Sequence, residues 1–136
     1  MWIQNVSLGD ILKAWHYDPG DNSVLISIVD PDMANPVPLY PFKKQHNFRF
    51  LDVEDGEGQI TDQQAAEIAQ ILRNAKQNHS NVVVHCVAGV CRSGAVTEAG
   101  VALGFQDTET PRVPNLLVKR KVMEFLRPDL DKTNAS

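Results

Sequence analysis

Cysteine is scarce in this chain: of 136 residues only two are cysteine. Cys86 and Cys91 lie in one short segment, which excludes a disulfide framework. A basic excess is also missing. Thirteen Lys and Arg stand against 17 Asp and Glu, a formal charge of -4, whereas a nucleic-acid module usually carries a basic face. No apolar run is long enough to span a bilayer. The opening "MWIQNVSLGDILKAW" has no basic region followed by an apolar one, so no signal peptide is expected. These absences point to the cytosol, where both thiols stay reduced. Internal repeats and low-complexity tracts are absent as well. What remains is 43% hydrophobic and 22% charged, close to the globular average. That suits a single domain over residues 1–130 with a disordered tail over 131–136.

The apolar pattern changes period along the chain. "SLGDILKAW" reads as a short helix with Ser7 as N-cap and Leu8, Ile11, Leu12 and Trp15 at helical spacing. "HYDPGDNS" is a turn, and "SVLISIVD" reads as a buried strand. "PDMANPVPLYPF" is proline-punctuated and reads as a loop, and "HNFRFLDV" as a second strand. After the acidic "DVEDGEGQ", Thr61 and Gln64 form a capping-box pattern opening a helix with Ala65, Ile68, Ala69 and Leu72 on one face. Asn78 stops it. "NVVVHC" is a central strand, and "RSGAVTEAGVALG" a helix closed by Gly104. "QDTETPR" reads as a loop. "VPNLLVKRKVMEFL" is a last helix that Pro128 helps to end. Alternating strands and helices predict an α/β fold with a central, mainly parallel sheet flanked by helices. Ligands bind at the carboxyl ends of such strands.

One segment lies at such an end. "VVVHCVAGVCRSG" runs from a strand through a tight loop into a helix. Backbone N–H groups of such a loop, together with a helix N-terminus, make an anion site. Its phosphate-binding residues are then Val87, Ala88, Gly89, Val90, Cys91 and Arg92. Gly89 permits a turn that a side chain would obstruct. Arg92 offers a planar fork of donors suited to two phosphate oxygens. Cys86, facing a helix start and a cation, is expected to ionise readily and act as a nucleophile on phosphorus. Ser93 can steady the sulfur as a leaving group. His85 is expected to orient the loop and not to transfer protons. A zinc site on His85, Cys86 and Cys91 lacks a fourth ligand at a familiar spacing, so no metal is expected.

"HCVAGVCRSG" matches the H-C-x5-R-S/T loop of the cysteine-based protein tyrosine phosphatases. From about Phe48 to Leu126 the chain is similar to the small dual-specificity branch of that superfamily. "CVAGVCRS" also resembles the low-molecular-weight tyrosine phosphatase loop, which in that family lies near the N-terminus. The resemblance implies the protein tyrosine phosphatase-like, dual-specificity fold. It also implies hydrolysis of phosphomonoesters through a phosphocysteine, with no cofactor. It further implies a general acid on a loop some thirty residues before the cysteine. Asp55 in "VEDG" is the preferred candidate and Asp52 the rival. The bland reading makes both a solvated loop.

Expected substrates are a phosphorylated protein or another phosphomonoester, and at this chain length a shallow cleft admitting phosphoserine and phosphothreonine as well as phosphotyrosine. RNA 5′-phosphates stay open as substrates, while membrane and nucleic-acid partners are not expected. "VAGV" adds no cation to the loop, which disfavours a polyphosphoinositide. Competing readings are a rhodanese-like sulfurtransferase, an arsenate reductase and a catalytically silent phosphate-binding module. Cys91 is read as a small core-facing side chain, or alternatively as a thiol that traps oxidised Cys86 in a disulfide.

Overall fold

The computed structural model describes residues 1–13 and 18–134. In chain order it contains β1 (Trp2–Val6), α1 (Leu8–Leu12), β2 (Ser23–Val29), β3 (Lys44–Arg49), α2 (Asp62–Gln77), β4 (Asn81–His85), α3 (Arg92–Leu103), β5 (Gln106–Asp107) and α4 (Leu116–Asn134). The strands form one sheet in the order β3-β2-β4-β1-β5. Every neighbouring pair is parallel. Val84 is flanked by Asn5 of β1 and Ile26 of β2, and His85 by Val6 and Ser27. The carboxyl end of β4 therefore lies at the centre of the sheet, between two other strand ends.

Strand alternation divides the core. Ile26, Ile28, Val82 and Val84 point to the face covered by α2, α3 and α4, where Ile68, Leu72, Val96, Val118 and Leu126 complete the main cluster. Leu25 and Val83 point the other way and pack with Val6 and Ile11, beneath Trp2, Tyr40 and Phe42. A sheet buried on both faces explains why β2 and β4 read as unbroken apolar runs. The edge strand β3 is mixed, with only Phe48 buried. α2 starts as its sequence requires. Thr61 Oγ1 accepts from the Gln64 amide, and Gln64 Oε1 accepts from the Thr61 amide.

Five elements differ from the sequence reading. β1 lies in a stretch whose Gln4 and Asn5 interrupt the apolar pattern, and β5 in one read as a loop. β3 begins at Lys44 and ends at Arg49, so Phe50 is buried beyond the strand. α1 ends at Leu12, and Trp15 lies outside the described residues. α4 continues through Pro128 to Asn134, where the sequence suggested a helix stop and a disordered tail. Proline forfeits one helical hydrogen bond. Arg73 of α2 spans the weak point, with its Nε 2.6 Å from Asp129 Oδ2 and its Nη2 donating to the Phe125 carbonyl. Among the described residues no helix is long and apolar enough to cross a membrane.

Candidate active site

The loop between β4 and α3 is held from outside by its carbonyls. Val87 O accepts from the Leu8 amide, Gly89 O from Asn5 Nδ2, Val90 O from the Val113 amide and Cys91 O from the Asn115 amide. Carbonyls turned outward leave the amides facing inward. Those of Val87, Ala88, Val90 and Cys91 make no hydrogen bond to a described residue, and the first N–H groups of α3 have no intrahelical partner. Gly89 sits at φ +80°, and its own amide donates to Cys86 Sγ at 3.2 Å.

Cys86 is 2% exposed at the floor of this loop. Burial alone would push its thiol up. The Ser93 hydroxyl, 3.2 Å from Sγ, the amides of Ser93 and Gly89, and the Arg92 charge act in the other direction and prevail. The thiol is therefore held below its ordinary range, as a nucleophile near neutral pH requires. His85 lies directly behind, fully buried. Its Nδ1 is 3.1 Å from the Cys86 carbonyl and its Nε2 is 2.6 Å from Ser27 Oγ. The carbonyl can only accept, so Nδ1 carries the proton and Nε2 accepts from Ser27. Burial foremost, and the Arg92 charge in addition, keep the ring neutral by outweighing the pull of that carbonyl. Both ring nitrogens are thus engaged, one by the strand β2 side chain and one by the backbone of the loop's first residue. Among the described residues no group of three or more His, Cys, Asp or Glu side chains is placed to hold a metal.

Arg92 is 5% exposed. Its Nη1 donates to Asp30 Oδ1 at 2.6 Å and to the Phe50 carbonyl at 2.7 Å. Its buried Nε has no partner among the described residues. Two acceptors thus fix one corner of the guanidinium and leave donors on another edge for a ligand. Asp30 escaped the sequence reading. The available clue was its position directly after the apolar β2, at the carboxyl edge of a parallel sheet.

The two candidate acids are placed differently. Asp52 Oδ1 accepts from Asn115 Nδ2 at 2.8 Å, and its carboxylate is close enough to the Cys91 thiol to raise it. Asp55 is exposed and forms no hydrogen bond with a described residue. Between them, the Val53 carbonyl accepts from Asn115 Nδ2, and Glu54 Oε1 accepts from the Leu116 amide. The chain from Asp52 to Glu54 is therefore docked on the start of α4, and Asp55 projects beyond it. Burial and the nearby Asp52 carboxylate keep the Cys91 thiol protonated, against the smaller influence of Arg92. Cys86 and Cys91 are both free thiols. Asn5 and Asn115 were also absent from the sequence reading, for want of any local pattern to mark them.

No protein-family model matches the chain, and no curated protein matches it. Among solved structures, 22 chains do. One is OH1 from the Orf virus, a tyrosine phosphatase described as displaying distinct structural features and triple substrate specificity. The match has a TM-score of 0.51 at 14% identity and covers 98% of this chain and 71% of that one. The chain has the protein tyrosine phosphatase fold. At such low identity the likeness extends to architecture only. The fold expected from "HCVAGVCRSG" is the fold found, with Cys86 at the strand end and Arg92 opening the helix, as in the sequence pattern of the protein tyrosine phosphatases.

Proposed function

We propose that the chain is a cysteine-dependent phosphomonoester hydrolase of the protein tyrosine or dual-specificity type. The observation that carries this reading is a buried, partnerless Arg92 Nε beside inward-facing amides and a thiol shifted toward ionisation. A buried donor without an acceptor costs about 1–3 kcal/mol. A tetrahedral oxyanion over Cys86 would recover that cost.

The chemistry runs in two steps. Cys86 Sγ attacks phosphorus, the S–P bond forms and the P–O bond to the leaving group breaks. The departing oxygen takes its electron pair and a proton from a carboxylic acid. Water then attacks phosphorus and gives a proton to the same carboxylate. The S–P bond breaks, and the sulfur leaves as a thiolate steadied by the Ser93 hydroxyl. Arg92 and the loop amides hold the non-bridging oxygens throughout, stabilising charge where it develops.

Asp52 is the acid that the geometry supports. Both candidates are exposed, but Asp52 lies beside Cys91 of the loop and is anchored by Asn115, whereas Asp55, preferred from sequence, bonds to no described residue. Asp52→Asn is expected to lower kcat/KM for phenyl phosphate about 10²-fold. Asp55→Asn should leave it within about twofold, as a surface change away from bound groups does. Steady-state assays with aryl phosphates of graded leaving-group pKa check this. The opposite ranking would move the role to Asp55, and no effect from either would remove the acid from this loop.

The substrate class proposed is a phosphorylated protein or a comparable monoester. Val87, Ala88, Gly89 and Val90 bring no second cation to the loop, which suits a single phosphate better than a polyanion.

A further inference from the structure

Asn115 joins three parts of the site. It is 4% exposed, and each of its polar atoms is used. Its carbonyl accepts from the Lys119 amide and its side-chain Oδ1 from the Leu117 and Val118 amides, which makes it the N-cap of α4. Its own amide donates to Cys91 O in the loop that carries Arg92. The two hydrogens of Nδ2 go to Asp52 Oδ1 and the Val53 carbonyl, at 2.8 and 3.1 Å. Only one orientation of the side chain serves all four side-chain contacts: two donors lie on one side and two acceptors on the other.

We infer that Asn115 is a positioning residue that aims Asp52 at the leaving group. The inference rests on the reading of Asp52 as general acid. An amide donor on Oδ1 favours the carbonyl form of that oxygen, the better acceptor, which places the proton to be delivered on Oδ2. The same residue pins Asp52 to a helix start through its side chain and, through its backbone amide on Cys91 O, to the anion loop. A short acidic loop is thereby held in register with the nucleophile. Proton transfer needs hydrogen-bond reach, so loosening the carboxylate should harm protonation of the leaving group more than attack by sulfur.

The test separates this role from mere support of the fold. Asn115→Ser and Asn115→Asp both keep an N-cap acceptor, and Ser, Asp and Asn cap helices about equally well. Both lose the Nδ2 donor, and Asp adds a like charge beside Asp52. The measurement is kcat/KM, which reports phosphoryl transfer to Cys86, for phenyl phosphate and for 2,4-dinitrophenyl phosphate. The second leaving group needs no proton. Asn115→Ser is expected to lose about tenfold or more on phenyl phosphate and several-fold less on the dinitrophenyl ester, with Asn115→Asp at least as impaired. Adding Asn115→Ser to Asp52→Asn should cost little more, since the two act as a unit. Equal losses on both esters in a variant whose partner Asp52→Asn shows a steep leaving-group dependence would overturn the positioning role and leave the proposed function standing. A shallow dependence in Asp52→Asn itself would remove the acid assignment and this inference with it. Should Asn115→Ser fold poorly by thermal unfolding, Asn115→Asp carries the same comparison.

Discussion

Cys86→Ser is expected to lower turnover of p-nitrophenyl phosphate by at least about 10⁴-fold, in buffer containing a chelator. Serine preserves the shape of the floor and the reach to Ser93, but its hydroxyl is not ionised near neutral pH. The loss is chemical, so the variant should unfold at nearly the same temperature as the parent. The ionisation has a sign that can be measured. Burial raises the Cys86 thiol, while Ser93, Gly89 and Arg92 lower it further than burial lifts it. The reactive form is the thiolate. Alkylation by iodoacetamide should therefore speed up as pH rises through a midpoint below the ordinary thiol range. The acid limb of kcat/KM should have its nucleophile component in the same window. Ser93→Ala removes the hydroxyl bond and retains the amide bond, so the midpoint should move upward. A serine variant with substantial activity, or activity that needs an added metal ion, would reject the phosphocysteine route.

The anion loop could be read from sequence because its chemistry is contiguous. Strand, thiol, glycine, guanidinium and helix start all lie between Val82 and Gly94. The groups that hold the loop in shape are not contiguous. Asp30 and the Phe50 carbonyl reach Arg92 from β2 and from beyond β3. Asn5 reaches Gly89 from β1, and Asn115 reaches Asp52 and Cys91 from the start of α4. Which strand ends meet depends on the order β3-β2-β4-β1-β5, and periodicity in one strand carries no information about its neighbour. β1 illustrates the cost. Asn5 is fully buried and breaks the apolar run that would have marked a strand, because its side-chain amide ties down the Gly89 and Pro111 carbonyls.

The choice between Asp52 and Asp55 follows the same logic. Both lie in one acidic stretch, both are exposed, and spacing from Cys86 separates them by three residues. The discriminating contacts come from the α4 start, more than fifty residues later in the chain, as in the Asn115–Asp52 pair with its separation of 63. Pro128 misled in a comparable way. It was read as helping to end the helix, which instead continues to Asn134, and the guanidinium that bridges it belongs to α2. Long-range partners, not weak local signals, account for what the sequence left unread.

Gly89→Ala should be damaging out of proportion to its one added carbon. At φ +80° an L side chain is strained, a cost of about 1–2 kcal/mol. A Cβ at this position would stand 2.5 Å from Ser7 N and Val6 C and 2.7 Å from Val6 O. All three are backbone atoms at the junction of β1 and α1, so no side chain can rotate aside. Relief requires the loop to retreat from β1, at a further cost of about 1–3 kcal/mol. The same movement stretches the Asn5–Gly89 bond and withdraws the Gly89 amide from Cys86 Sγ. A displacement near 1 Å in such a site is worth about 10² in rate. The expected result is roughly 2–5 kcal/mol lost in chemical denaturation, a fall of about 10²-fold or more in kcat/KM, and an alkylation midpoint for Cys86 moved upward by the weakened amide bond. Gly56 supplies the control. It too has positive φ, +80°, but its Cβ would meet nothing within 4 Å, so Gly56→Ala should show the strain alone and keep its kcat/KM. If the two variants behave alike, the contact between the loop and β1 is not what shapes the site.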